Sequence, residues 1–320
     1  MDISRLLPLI GVAIFIAVLL NVDLPEMLNS IAGASPPLLL LAAFVHIPLI
    51  LMKAGKWKLI THAFGSKAPL SRFMQAWLVG FVTGIATPGR IGEFSKACYL
   101  RERVSMGRAL ASIAVDRAID IAVLFVLAIL GAALFIYVYG GFIHAEIMVL
   151  MAVLFAAFLA SVSLVLARGD IVKRFARPLF RRFVPGRYKP GMKTAFREFY
   201  AGLGEIMKAR TLVASSAVLS ALSWLVIVFQ CSLISMAISL RIDYAFLLSV
   251  IPVVTLLDAL PVSVSGLGTR ELALIFFLGI ISIPMGAAVA FSILIFLLNY
   301  MLLVPFGLIL WMVRPVKIRP

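Results

Sequence analysis

Three groups of charged residues lie inside stretches that are otherwise apolar. Arg90 and Glu93 follow a break at Thr87-Pro88-Gly89. Asp116, Arg117 and Asp120 occupy the first part of a long apolar run, and Asp258, Arg270 and Glu271 flank a second break, Pro261-Val262-Ser263-Val264-Ser265-Gly266-Leu267-Gly268. A charge at the centre of a membrane-spanning helix costs about 2.5–3.5 kcal/mol on insertion scales, a cost that pairing or a polar cavity offsets. Asp116 and Asp120 are four residues apart and share a helix face, whereas Arg117 projects about 100° from Asp116 toward another neighbour. Two acids on one face repel unless a cation sits between them, and Arg90 or Arg270, carried on the breaks, is the expected cation. The arginine fork can hold a phosphate with two parallel hydrogen bonds. The expected chemistry is recognition of a charged headgroup by Arg90, Glu93, Asp116, Arg117, Asp120, Arg270 and Glu271. The competing expectation is that these charges pair only to lock the breaks in place. Three arginines face five carboxylates. A surplus acid away from water favours its protonated form, so one of Glu93, Asp116, Asp120 or Glu271 is expected to take up a proton during a transport cycle.

Both breaks carry residues that interrupt a helix. Pro88 and Pro261 remove a backbone donor, and Gly89, Gly92, Gly266 and Gly268 permit positive φ or close backbone approach. Together with Ser265 they mark the expected tips of two helical hairpins. Helix ends exposed at such tips can bind an anion. Small residues there also serve simple packing between membrane helices.

The elements that must position these residues are set by composition. Hydrophobic residues make up 63% of the 320-residue chain and charged residues 13%, with a mean hydropathy of +1.12. So apolar a chain needs lipid around it. The expected class is all-α, a polytopic membrane protein in which 1–320 form a single integral domain. Stretches 6–22, 36–52, 109–139, 147–167, 211–240 and 285–313 are each long enough to cross about 30 Å of hydrocarbon. The first is expected to be a retained span, because Asn21-Val22-Asp23 is no small-residue cleavage site. Lys and Arg number five in 53–72, three in 101–108, twelve in 168–210 and three in 314–320, but none in 23–35 or 140–146. The positive-inside rule then places both termini in the cytoplasm. Stretch 73–100 begins and ends inside, and 244–283 begins and ends outside. Each is expected to be a re-entrant hairpin, the two entering from opposite faces as in an inverted repeat. The rival count makes each half-hairpin a thin full span.

The net charge of +15 is dispersed in loops between apolar runs, which argues for anionic lipid headgroups and against nucleic acid. Within loop 168–210, Phe175, Leu179 and Phe183, and then Phe196, Phe199, Leu203 and Ile206, recur at helical spacing among basic residues. These amphipathic stretches are expected on the inner leaflet surface, as is a shorter one at Lys56-Trp57-Lys58. Cys98 and Cys231 form no CxxC pattern, and His46, His62 and His144 show no ligand spacing. No metal or cofactor is expected, and no GxxxxGK[ST] loop for a nucleotide is present.

Thr87-Pro88-Gly89-Arg90-Ile91-Gly92-Glu93, the Asp116-Arg117-x-x-Asp120 group and Pro261-x-Ser263-x-Ser265-Gly266-Leu267-Gly268-Thr269-Arg270-Glu271 resemble, in this order, the membrane region of the lysylphosphatidylglycerol synthase family, a flippase-like membrane family. The resemblance covers nearly the whole chain. It implies an integral protein of the cytoplasmic (inner) membrane that moves a lipid or serves a lipid-modifying pathway. The cytosolic aminoacyl-transfer domain of two-part synthases is expected to be absent, so their enzymatic activity is not carried over. The leading expectation is a translocator of a phospholipid, glycolipid or isoprenoid-linked lipid, proton-coupled through the surplus acid. The alternatives are a membrane-embedded lipid-modifying transferase, or a non-catalytic subunit partnered with a glycosyltransferase or lipid synthase.

Overall fold

The computed structural model describes residues 7–139, 145–167, 189–258 and 266–313, and every described regular element is a helix. The polypeptide opens with α1 (Leu7–Asn21) and α2 (Leu24–Ala32), which meet at 93°. Asp23 causes the bend: its carboxylate accepts from the Glu26 N–H at 3.1 Å, with proline at the start of α2. Next come α3 (Pro36–Phe44) and α4 (His46–His62), two pieces of one 27-residue span. Their break at Val45 lies where Pro48 cannot donate to the carbonyl one turn back. Helix α5 (Leu70–Ile85), a 3₁₀ helix (Pro88–Leu100) and the 34-residue α6 (Met106–Tyr139) follow. After them run α7 (Ala145–Ala167), α8 (Lys189–Lys208), α9 (Arg210–Ala237), α10 (Tyr244–Asp258) and α11 (Thr269–Ile280). The last long rod joins α12 (Met285–Phe296), a π-helical turn (Leu297–Met301) and α13 (Leu303–Val313). Pro305 leaves the Met301 carbonyl without its helical donor, and the turn widens so that the Leu302 N–H bonds to the Leu297 carbonyl at 2.8 Å.

Among the described residues, four helices are long and apolar enough to cross a membrane: 36–62, 106–139, 210–237 and 285–313; the bent α1–α2 pair makes a fifth if it is one span. Six straight spans were expected. The first reaches only to Asn21 before turning, and Ala152–Val165 of α7 is a shorter apolar stretch. The 36–52 stretch was also underestimated, because its helix continues through Lys53, Lys56 and Trp57 to His62. Outward surfaces are rich in large apolar side chains such as Phe44, Leu130, Phe229, Phe276 and Phe306. A soluble protein would not leave so many uncovered. The chain is an all-α polytopic membrane protein.

Packing is reciprocal between the first and second halves. Helix α4 packs on α9. The α5–3₁₀ hairpin is backed by α13, while the α10–α11 arms are backed by α6. Phe135 of α6, Phe246 of α10 and Leu274 of α11 share one core with Ile234 of α9 and Phe291 of α12. A second core gathers Trp57, Phe73, Leu100 and Ile113. The apolar stripe of α8 does not face lipid as its amphipathic spacing suggested. Leu203 and Ile206 bury against Ile60, Ala111 and Val115, and Arg108 pairs with Glu205 at 2.6 Å beside that contact. Phe175, Leu179 and Phe183 lie outside the described residues.

Candidate functional site

The first break is a closed hairpin. Thr87 is extended at φ −124, ψ 138, as a residue before proline must be. Its hydroxyl accepts from the Gly92 N–H at 2.7 Å. A Cβ on Gly92 would stand 2.0 Å from the Thr83 carbonyl oxygen, so only glycine lets the two arms meet. The left-handed position in this turn belongs to Arg90, at φ 56. That conformation is strained for a side-chain-bearing residue and is a feature of functional turns.

The 3₁₀ winding has a direct consequence for the charges. With three residues per turn, positions i and i+3 eclipse, so Arg90, Glu93 and Lys96 stack on one face. That face meets α6. Glu93 pairs with Arg117 and lies 3.7 Å from the Arg90 guanidinium. Lys96 Nζ sits 3.0 Å from Asp116 Oδ2 and over the Trp57 ring. From the other side, Lys56 Nζ bridges Asp116 at 3.0 Å and Asp120 at 2.5 Å, and Lys53 adds a contact to Asp120 at 3.3 Å. The Ser220 hydroxyl donates to Asp120 from α9. The cations between Asp116 and Asp120 are therefore lysines, not Arg90 or Arg270 as expected. Arg117 does face a separate neighbour. Six buried or half-buried cations now face the five carboxylates, and the acid surplus inferred from the arginines alone disappears. Lys53 was counted with a basic loop, and Lys56-Trp57-Lys58 was expected on the leaflet surface, whereas Lys56 and Trp57 are buried inside the protein. The i, i+3 spacing of Lys53 and Lys56, complementary to the i, i+4 spacing of the aspartates, was the available signal.

The second break is built differently. Gly266 and Gly268 both adopt positive φ, at 80 and 87. A Cβ on Gly266 would strike the Asp258 carboxylate. Glu271 caps its own helix by accepting from the Gly268 N–H at 2.5 Å, and also accepts from the Ser292 hydroxyl at 2.7 Å. Arg270 donates through Nε to Ser292 at 3.1 Å. Its terminal nitrogens make long ion pairs, 3.7 Å to Asp258 and 3.5 Å to Glu271, without a well-formed hydrogen bond among the described residues. Pro261 and Ser265 lie outside the described residues; Pro88 and Gly89 open the 3₁₀ helix.

One cavity of about 180 Å³ joins the two breaks. Arg90, Glu93, Arg117 and Asp120 line it from the first half, Asp258 and Arg270 from the second. Asp116 and Glu271 support this wall without lining it. Tyr300, on the π turn, ties the two together: the Arg90 and Arg270 guanidinium carbons lie 5.2 and 5.5 Å from its ring centroid. Trp77, Phe81 and Tyr300 form a run of stacked rings along the same wall. Leu49, Leu124, Ile227 and Tyr300 also line the cavity, each near mid-length of one of the four long helices. Tyr300, Trp224 and His46 were not among the residues singled out in the sequence. No three His, Cys, Asp or Glu side chains gather to hold a metal among the described residues.

This fold and site define a class: a polytopic α-helical membrane protein with an ion-paired cavity amid its long helices. The chain belongs to the family described as the lysylphosphatidylglycerol synthase TM region, which it matches over residues 6–307. It is also 25% identical over 290 residues to a UPF0104 membrane protein of Methanothermobacter thermautotrophicus, covering 86% of this chain and 84% of that protein.

Proposed function

We propose that the chain is a flippase-like lipid translocator whose cavity receives a phosphate-bearing headgroup between Arg90 and Arg270 while the acyl chains stay in the bilayer. One observation carries this reading: a single cavity is lined by charged residues of both hairpins, with both guanidinia stacked on Tyr300. Arginine suits a phosphate, and the loosely paired terminal nitrogens of Arg270 offer a two-point fork. The volume supports the division of the lipid. With one water needing about 10–15 Å³ on a comparable measure, the cavity holds roughly a dozen waters' worth of headgroup and no long chain. The reciprocal packing of the two halves supports opposed re-entrant hairpins related as an inverted repeat. On this topology the lysine end of the cavity faces the cytoplasm, as do both termini. A transferase would need a free carboxylate as base; Glu93, Asp116 and Asp120 are each engaged by cations at close range, which leaves Asp258 as the loosely paired acid in the cavity lining.

The test is reconstitution into vesicles with labelled phospholipids and a leaflet-accessibility assay. The expected result is protein-dependent exchange that Arg90→Ala and Arg270→Lys each slow by about tenfold or more. Equal exchange with and without protein, across phospholipid, glycolipid and isoprenoid-linked substrates, overturns the reading. Repeating the assay with and without a pH gradient addresses coupling. With the acids already matched by cations, exchange is expected to proceed without the gradient.

A further inference from the structure

Among the described residues, Asp258 is the acid of the site held most loosely. Glu93 meets Arg117, Asp116 meets Lys56 and Lys96, and Asp120 meets Lys53, Lys56 and the Ser220 hydroxyl. Glu271 accepts from the Gly268 N–H and from the Ser292 hydroxyl. Asp258 lines the cavity with a side chain 10% exposed, and its Oδ1 is buried without a hydrogen-bond partner among the described residues. Its Oδ2 has one long ion pair, 3.7 Å to Arg270. Against the carboxylate lies the bare backbone of Gly266, where a Cβ would strike it.

Arg270 is therefore shared between Asp258 and Glu271. Glu271 has other donors, so a phosphate that takes the guanidinium fork deprives Asp258 of its counter-charge. An anion beside a carboxylate that has lost its cation favours the protonated acid, and a buried site screens the two charges far less than water does. The neighbouring elements do not relieve this. From α11 come Arg270 and Glu271 themselves. Helix α6 brings Arg117 and Asp120 to the lining, already paired with Glu93 and the lysines, and α9 brings Cys231. Arg90, across Tyr300, stands beside Glu93 and engages the same phosphate in the translocator reading. His46 on α4 is the imidazole of the lining.

Resting on the translocator reading, we infer that Asp258 is the proton-binding residue of the cavity: the resting counter-ion of Arg270, it yields that guanidinium to an anionic phosphodiester headgroup and takes up a proton as it does so. The proton comes from the aqueous phase as the headgroup enters and returns to it as the headgroup leaves, and no covalent bond of the lipid is made or broken. Exchange at uniform pH therefore proceeds, and what crosses is a phosphodiester anion together with a proton.

The experiment is titration calorimetry of the detergent-purified full chain with dihexanoyl phosphatidylglycerol, a phosphodiester whose own charge is constant across neutral pH. Heats measured in Pipes and in Tris, which differ in ionisation enthalpy, give the protons taken up per lipid bound. The expected uptake is about one proton, with affinity rising up to about tenfold for each unit fall in pH. Asp258→Asn imitates the protonated acid, so it binds the lipid without proton uptake and with an affinity independent of pH. A wild type that binds without proton uptake overturns the inference, as does uptake that survives in Asp258→Asn, which assigns it to another group such as the His46 imidazole. If that variant does not fold, infrared difference spectra of the wild type decide. Lipid addition then produces a protonated-carboxyl band that shifts in heavy water, as ester carbonyl bands do not, and its absence overturns the inference. Dimethyl phosphate, the same diester without chains, separates the two proposals. Its binding as tightly as the lipid, or proton uptake without exchange between leaflets, sinks the translocator reading and leaves the proton at Asp258 standing.

Discussion

The two hairpins hold charge in opposite ways. In the first, every acid is met at close range by a cation from another element. Lys56 spans both aspartates of α6, Lys96 takes the free side of Asp116, and Arg117 takes Glu93. In the second, Arg270 is 2% exposed, yet its terminal nitrogens stand off from Asp258 and Glu271 at 3.5–3.7 Å. Buried ion pairs contribute little net stability, but removing one partner strands a charge and is costly. The first cluster is therefore closely paired and the second loosely paired, and on the proposed function it is the second that a headgroup would complete. The close pairing of the first cluster accords with the expectation that charges lock a hairpin; headgroup binding remains the proposal for the cavity.

The contrast can be broken by substitution. The largest effect is expected from Lys56→Met, which leaves Asp116 and Asp120 facing each other across a gap. Thermal or denaturant unfolding in detergent should show a loss of about 3–5 kcal/mol. Arg270→Lys should lower stability by clearly less while abolishing most headgroup binding, and the reverse ranking would erase the distinction between close and loose pairing. Gly92→Ala comes next, because its Cβ cannot fit against the Thr83 carbonyl. A loss of about 1–3 kcal/mol is expected, and unchanged stability would mean that the hairpin closes differently. The smallest is Ser292→Ala, which removes the hydroxyl between Arg270 and Glu271. It should cost about 1 kcal/mol and sharpen the contrast if headgroup affinity falls further than stability does.

The three charged motifs, and the fact that they belong together, were legible because charge inside an apolar run is conspicuous at any register. Their partners were harder to see. Lys53 and Lys56 lie where a helix passes from apolar to basic sequence, and counting basic residues assigns such a run to a loop. The structure continues the helix because Trp57 and Ile60 bury inward against α6 and its neighbours. The 3₁₀ winding of Pro88–Leu100 was not legible either. Its energy comes from packing against α5 and α6 rather than from local preference, and only that winding aligns Arg90, Glu93 and Lys96. In α8 an apolar stripe was legible but its partner was not, since lipid and a neighbouring helix make the same demand on composition. The bend at Asp23 was not anticipated, although an aspartate two residues before Pro25 was the available signal for it.

Gly307 lies where α13 presses on α5, its backbone against Val82 and the Leu78 carbonyl. That seam joins a helix made early in synthesis to one made near the end. The early hairpin cannot gain its final neighbour on that flank until α13 has been synthesised. The reciprocal seam, α6 against α10, closes sooner. The order of synthesis is thus asymmetric even though the finished packing is balanced, and the earlier hairpin is the one covered by the later-made helix.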